Sequence, residues 1–144
     1  MNELKPNPFN LIRFLDAQEG IYSQALGEIR AGCKESHWMW FIFPQIDGLG
    51  RSSTAKFYAI RSRAEAKAYL EHPILGKRLI ECSTALLHIS GRSASEILGF
   101  PDVLKLRSSM TLFATVSQPD SVFAQVLDRY FAGERDPKTI ELLF

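Results

Sequence analysis

Along this chain, apolar residues return at helical intervals in one segment after another. Phe9, Leu11, Ile12 and Leu15 mark a short first helix, which the stretch 16–20 ends. Ile21, Tyr22, Ala25, Leu26 and Ile29 repeat the spacing, and Gly32 stands where a helix C-terminus wants a residue free to turn left-handed. Ser62-Arg63-Ala64-Glu65 and Ser93-Ala94-Ser95-Glu96 both read as capping boxes, each satisfying orphan N–H groups at a helix start. Pro73 suits a first helical turn, and Leu75, Leu79, Cys82, Leu86 and Ile89 then continue at steps of three and four. Val103, Leu106, Met110 and Phe113 follow Pro101-Asp102 in the same way. Val122, Phe123, Val126, Leu127 and Tyr130 make a further helix, and Asp136-Pro137 opens a last one that ends in Ile140, Leu143 and Phe144.

No run alternates convincingly, apart from residues 38–43, where a short strand or extended segment is an open reading. There is no fixed-period repeat and no long linker. The pattern predicts an all-α fold, a single compact multihelical domain over residues 1–144, with residues 1–8 as an extended N-terminal arm.

Composition narrows the partners more than the fold. A chain of 144 residues is long enough to bury a core, and 46% hydrophobic with 23% charged residues is ordinary for a globular domain. Its 17 basic and 16 acidic residues are spread evenly, so neither half offers the excess of phosphate contacts that duplex nucleic acid demands. The first ten residues lack the basic start and apolar run of a secretory signal. The longest apolar run, at 38–43, is far too short for a membrane span and meets Pro44. These features read as a cytoplasmic protein with no membrane or duplex partner.

Candidate chemistry concentrates in SHWMWFIFPQIDGLGRSST, residues 36–54, an aromatic run that leads into a Gly-x-Gly-Arg-Ser turn. Gly48 and Gly50 allow φ > 0 and bring backbone N–H groups near a ligand, and a helix starting near Ser53 would add its dipole. Arg51 supplies a bidentate charge, with Ser52 and Ser53 as hydroxyl donors. The same loop is equally a glycine turn with a serine cap; it is neither a P-loop nor a dinucleotide fingerprint. Trp38, Trp40 and Gln45 are candidates to hold a flat ring, against the plain alternative that such aromatics are core. His37 is a candidate acid–base, although a structural histidine is the commoner role. Lys105, Arg107, Ser108 and Ser109, with Thr111, share one short helix and suit a phosphate or ribose; a solvated helix face is the bland reading.

Cys33 and His37 would lie one helical turn apart, but Gly32 predicts a break there; Cys82 sits on a core stripe, and His72 and His88 have no ligand-spaced partner, so no metal site, and likewise no cofactor, is expected. There is no nucleophile elbow.

Three stretches, SHWMWFIFPQIDGLGRSSTAKFYAI, EAKAYLEHPILGKRLIEC and DVLKLRSSMTLFA, resemble the bacterial domain-of-unknown-function family eighteen-ten, over residues 10–142. The resemblance implies a single all-helical domain and no established activity. Some members carry a transferred calpastatin label, which suits a disordered repeat inhibitor rather than a packed domain.

A more distant likeness, through Phe43, Pro44, Asp47, Gly48, Ser53, Phe57, Tyr58, His72, Pro73 and Leu75, is similar to the YbiA-like NADAR N-glycosidases of ADP-ribose-type substrates. The chain departs from that pattern where it has Ala55 and Lys56 in place of the expected glutamate. A carboxylate for an oxocarbenium-like transition state would have to come from Asp47, Glu81 or Asp102.

Together these readings give the expectation of one pocket for a phosphorylated, nucleotide-like ligand, and of N-glycosidic cleavage there with Asp47 or Asp102 as carboxylate and His37 assisting. The competing expectation is a non-enzymatic helical module that binds a protein through an exposed apolar face.

Overall fold

A computed structural model describes residues 9–144; the expected arm at 1–8 lies outside the described residues. Among the described residues ten helices follow one another: α1 Ile12–Gln18, α2 Tyr22–Arg30, α3 Met39–Ile42, α4 Ser53–Phe57, α5 Arg63–Glu71, α6 Leu75–Leu87, α7 Ala94–Leu98, α8 Asp102–Thr115, α9 Val122–Phe131 and α10 Pro137–Leu143. The all-α expectation holds.

The caps explain most of the boundaries. Ser93 and Glu96 form a complete reciprocal capping box on α7. Ser62 accepts from the Glu65 N–H, but the Glu65 carboxylate turns away to the Arg61 N–H and to Arg13. Gly32 has φ +74°, as the end of α2 requires, and Asp136 with Pro137 opens α10. At α6 the helix starts after Pro73, because His72 Nδ1 accepts from the N–H groups of Ile74 and Leu75.

The segment 38–43 is a helical turn, which corrects the strand alternative. The Trp38 carbonyl accepts from Phe41 and Ile42 N–H groups at 3.3 and 3.0 Å. Met39 and Ile42, three apart, go into the core while Trp40 and Phe41 stay half-buried. The strand signal arose from aromatic and β-branched residues, whose β preference reflects a half-buried surface more than the backbone itself. Pairing outside helices among the described residues is a single isolated parallel bridge, Ile46 with Ile60.

Helix α8 is the core element: Leu106, Ser109, Met110, Thr111, Leu112 and Phe113 are all fully buried. It packs on α9, α5, α7, α10 and α3, and α6 closes the other side against α9, α5 and α2. A file of rings crosses the interior, with Phe14 edge-on to Tyr69 at 5.0 Å, Tyr69 to Phe113 at 5.5 Å and Phe113 to Phe123 at 5.8 Å. Helices α5 and α6 approach so closely that a Cβ on Gly76 would lie 1.9 Å from the Leu70 carbonyl oxygen.

One charged group inside the core shapes the site region. Arg13 of α1, 8% exposed, uses its whole guanidinium: Nε to the Phe57 carbonyl, Nη1 to the carbonyls of Phe9 and Asn10, and Nη2 to the Ala59 carbonyl and the Glu65 carboxylate at 2.7 Å. Five donors in a rigid fork suit this bundling. The fork ties the chain after α4 to α1 and α5, and the Ile46–Ile60 bridge fixes the same loop at its other end.

Candidate functional site

Glu28, in the last turn of α2, organises the segment leading to the aromatic run. Its carboxylate accepts from the N–H groups of Glu35 and Ser36, the Ser36 hydroxyl, the Gln24 amide and Trp38 Nε1 at 2.8 Å. Burial pushes its pKa up, but these hydrogen bonds to the charged form outweigh that and bring it down to about 2. Trp38 is thereby sealed in the core with Phe43 beside it. A turn of α3 then brings Trp40 to the face of α8.

There the structure assembles a compact charge cluster. Asp102, at the start of α8, lies 2.8 Å from Lys34 Nζ and 3.4 Å from Lys105 Nζ. The Lys34 ammonium sits 5.0 Å from the Trp38 ring centroid and the Lys105 ammonium 4.5 Å from that of Trp40, both within cation–π range. Two ammonium groups against one carboxylate leave a local excess of positive charge. Lys34 escaped the sequence reading: it follows the end of α2 with no motif around it, and its partner is far along the chain.

Trp40 also lines a hollow with Gln45, Asp47, Gly48, Gly50 and Tyr58. Its volume is about 10 Å³, room for roughly one water molecule and far from a nucleotide. Gly48 carries φ +106° as expected, and a Cβ there would also press on the Leu142 side chain at 3.2 Å. Gly50 has a different reason. Its φ is not positive; a Cβ would fall 2.4 Å from that of Ala55, so the loop needs glycine there for closeness to α4. Ser52 is the N-cap of α4, accepting from the Ala55 N–H, while Arg51 and Ser53 are exposed and neither takes part in an ion pair among the described residues. Asp47 is exposed, with its N–H given to the Ile60 carbonyl.

The structure therefore brings together Trp38, Trp40, Asp102 and Lys105, with Gln45, Asp47, Gly48 and Gly50 adjoining through Trp40. His37 is exposed on the turn before α3. Arg107 and Ser108 belong elsewhere. Arg107 donates to the carbonyls of Glu134 and Arg135, and Ser108 to Leu104 and to the Asp136 carboxylate, so these side chains brace α10. Ser109 is fully buried and its hydroxyl has no hydrogen-bond partner among the described residues. The expected pocket joining both Arg/Ser clusters is corrected accordingly: α8 turns Lys105 and Arg107 to different neighbours, as a two-residue separation on a helix dictates.

A larger hollow, of about 520 Å³, opens between the ends of α2 and α6, lined by Arg30, Gly32, Glu81, Thr84, His88 and Arg92 among others. Beside it Tyr22 donates to the Glu81 carboxylate, and burial together with that acceptor pushes the phenol pKa well up. Among the described residues no helix is long and apolar enough to cross a membrane, and no group of His, Cys, Asp and Glu is placed to hold a metal.

With this geometry in hand, the comparisons with other proteins are decisive for kinship. The profile described as "Protein of unknown function (DUF1810)" matches residues 8–143. The chain belongs to the DUF1810 family. The crystal structure of the conserved hypothetical protein Rv1873 from Mycobacterium tuberculosis superposes on it with a TM-score of 0.93 at 49% identity, covering 95% of this chain and 98% of the other. A search of curated proteins returned no match. Neither finding supports the likeness to NADAR glycosidases. DUF1810 membership thus fixes the fold and leaves the activity to the site itself.

Proposed function

We propose that the protein binds a phosphorylated, nucleotide-like small molecule across the open part of Trp40 and the adjoining 47–53 loop. The observation that carries this reading is the Lys105 ammonium at 4.5 Å from the Trp40 ring centroid, held there by Asp102. A half-exposed indole next to a fixed cation offers stacking and charge together. Arg51, exposed and without an ion pair among the described residues, is available to a phosphate from solvent. The hollow behind the loop admits only a water, so the ligand lies on its outer rim. For N-glycosidic cleavage the exposed Asp47 is the carboxylate to test, because Asp102 is occupied by two lysines.

The test is calorimetry with ADP-ribose and AMP on the wild type and on Trp40→Ala, Arg51→Ala and Lys105→Ala. Saturation by either ligand, weakened about tenfold or more in Trp40→Ala and Lys105→Ala, is the expected result. No binding to the wild type, or affinity unchanged in all three variants, refutes it.

A second reading draws on Phe100 and Leu104, exposed at 79% and 51% around the turn into α8. They favour a protein partner or self-association. Analytical ultracentrifugation at increasing concentration, with Phe100→Ser as the control, decides it: a single monomer species throughout removes self-association.

A further inference from the structure

The hollow between α2 and α6 shares no lining residue with the Trp40 wall, and its chemistry is different. We propose that it is a second ligand site, and that its ligand is a sugar phosphate: a phosphate monoester on a small polyhydroxylated carbon frame. The volume, about 520 Å³, lies within the roughly 300–1,000 Å³ usual for small-molecule sites.

Charge comes first. Arg30 at the end of α2 and Arg92 in the segment before α7 both line the hollow, against one carboxylate, Glu81. Arg30 is only loosely engaged, 3.7 Å from Glu81 with its side chain 62% exposed. Arg92 is positioned in advance. Its guanidinium donates to the Glu96 carbonyl at 3.0 Å, and its stem lies over Gly32, where a Cβ would come within 3.2 Å of Arg92 Cδ. Two guanidinium forks from different segments exceed what a planar carboxylate uses; the three oxygens of a phosphate monoester can accept from both.

Helix C-termini ordinarily oppose anions, and α2 and α6 both end here. At α6 that opposition is reduced. The Leu86 carbonyl accepts from Tyr130 and, just past the helix, the Ile89 carbonyl accepts from Arg129, so these oxygens are already hydrogen-bonded from outside the hollow.

The remaining lining selects the rest of the molecule. Thr84 and Ser90 bring hydroxyls that both donate and accept, His88 a ring N–H, and Glu81 a carboxylate whose orientation Tyr22 fixes by hydrogen bonding. These groups match a ring of hydroxyls. No Phe, Tyr or Trp side chain lines the hollow, so a nucleobase would have only the His88 imidazole and the guanidinium planes to stack on, which separates this site from the tryptophan wall of the nucleotide reading at Trp40.

The experiment titrates the full chain with glucose 6-phosphate, glucose, inorganic phosphate and AMP by calorimetry. The same ligands are then tested on Arg30→Ala, Arg92→Ala and, as a control, Trp40→Ala. Both arginines are exposed, and circular dichroism with the melting temperature verifies that the variants fold. The expected result is binding of glucose 6-phosphate ahead of glucose and phosphate, weakened about tenfold or more by either arginine substitution and untouched by Trp40→Ala. Three results overturn the proposal: no binding of glucose 6-phosphate, binding that survives Arg30→Ala and Arg92→Ala, or binding as tight as the sugar phosphate's by inorganic phosphate on the wild type or by AMP on Trp40→Ala, where the other site is removed. Because Trp40→Ala addresses the other site alone, each reading fails on its own variants.

Discussion

Replacing Glu65 by alanine is the sharpest test of how the site region is held. Glu65 is 3% exposed and accepts from Arg13 Nη2 at 2.7 Å and from the Arg61 N–H at 2.9 Å. Removing one partner of a buried ion pair costs about 3–5 kcal/mol, because the other charge stays in the interior unpaired. Here the Arg13 fork keeps four carbonyl contacts, from Phe9, Asn10, Phe57 and Ala59, which places the expectation at the lower end, about 3 kcal/mol. In a domain of this size that lowers Tm by roughly 10 °C.

The partner substitution should do more. Arg13→Met strands the Glu65 carboxylate and takes the guanidinium donors from four carbonyls, of which those of Phe57 and Ala59 have no other donor among the described residues. A loss of about 4–5 kcal/mol is expected. The double variant Arg13→Met/Glu65→Leu removes both charges and should recover part of that loss. It stays about 2 kcal/mol below wild type, since two carbonyls remain without donors at about 1 kcal/mol each. Urea unfolding followed by tryptophan fluorescence and by circular dichroism measures all three. A Glu65→Ala variant within about 1 kcal/mol of wild type would show that the pair does not hold the loop after α4.

Three further outcomes can be checked alongside. Glu28 has a folded pKa near 2 against 4.5 ordinarily, so the stability it contributes is present above about pH 4.5 and is lost as pH falls towards 2. Solvent screening holds this to about 1 kcal/mol, and Glu28→Gln should lack that part of the acid loss in denaturation curves at pH 6 and pH 3. Gly76→Ala forces the α5 backbone away from α6 and should destabilise by about 1–3 kcal/mol despite alanine's better helix propensity; a more stable variant in thermal melts contradicts the packing. Cys33 is exposed, whereas Cys82 is buried and its thiol is pushed up to about 12 by burial, so a thiol reagent should label one site quickly and the second only on unfolding. Two fast thiols would contradict the placement of α6.

Local signals were the legible ones. Ser93 with Glu96, Asp136 with Pro137, and Gly32 each mark a helix end by chemistry confined to a few neighbouring residues, and each sits where that chemistry demands. The 38–43 turn was ambiguous because its residues suit any half-buried surface and only the pairing of Met39 with Ile42 in the core shows the period. Ser62-Arg63-Ala64-Glu65 looked complete, yet Glu65 was drawn off by Arg13, a partner no local window contains. The Lys34–Asp102 contact and the hollow at the ends of α2 and α6 share that origin. Both arise where distant segments converge, so neither leaves a motif.

That distinction also bears on the two anion sites proposed above for a nearly neutral chain. Arg13, Glu65, Lys34 and Asp102 are spent inside on ties between elements, and Glu28 and Arg107 on turns. Net charge counts these equally with the rest, but a group already bonded offers little to a ligand. Arg51, exposed on the loop before α4, and Arg30, 3.7 Å from Glu81 at the larger hollow, are less committed. The balance of 17 against 16 therefore says little about where an anion would bind, and the commitment of individual groups says more. The same criterion removes Arg107 and Ser108, which looked as suitable in sequence as Lys105 did. Their hydrogen bonds to the 134–136 turn leave Lys105, held by Asp102 over the Trp40 ring, as the α8 cation on which the proposed ligand site rests.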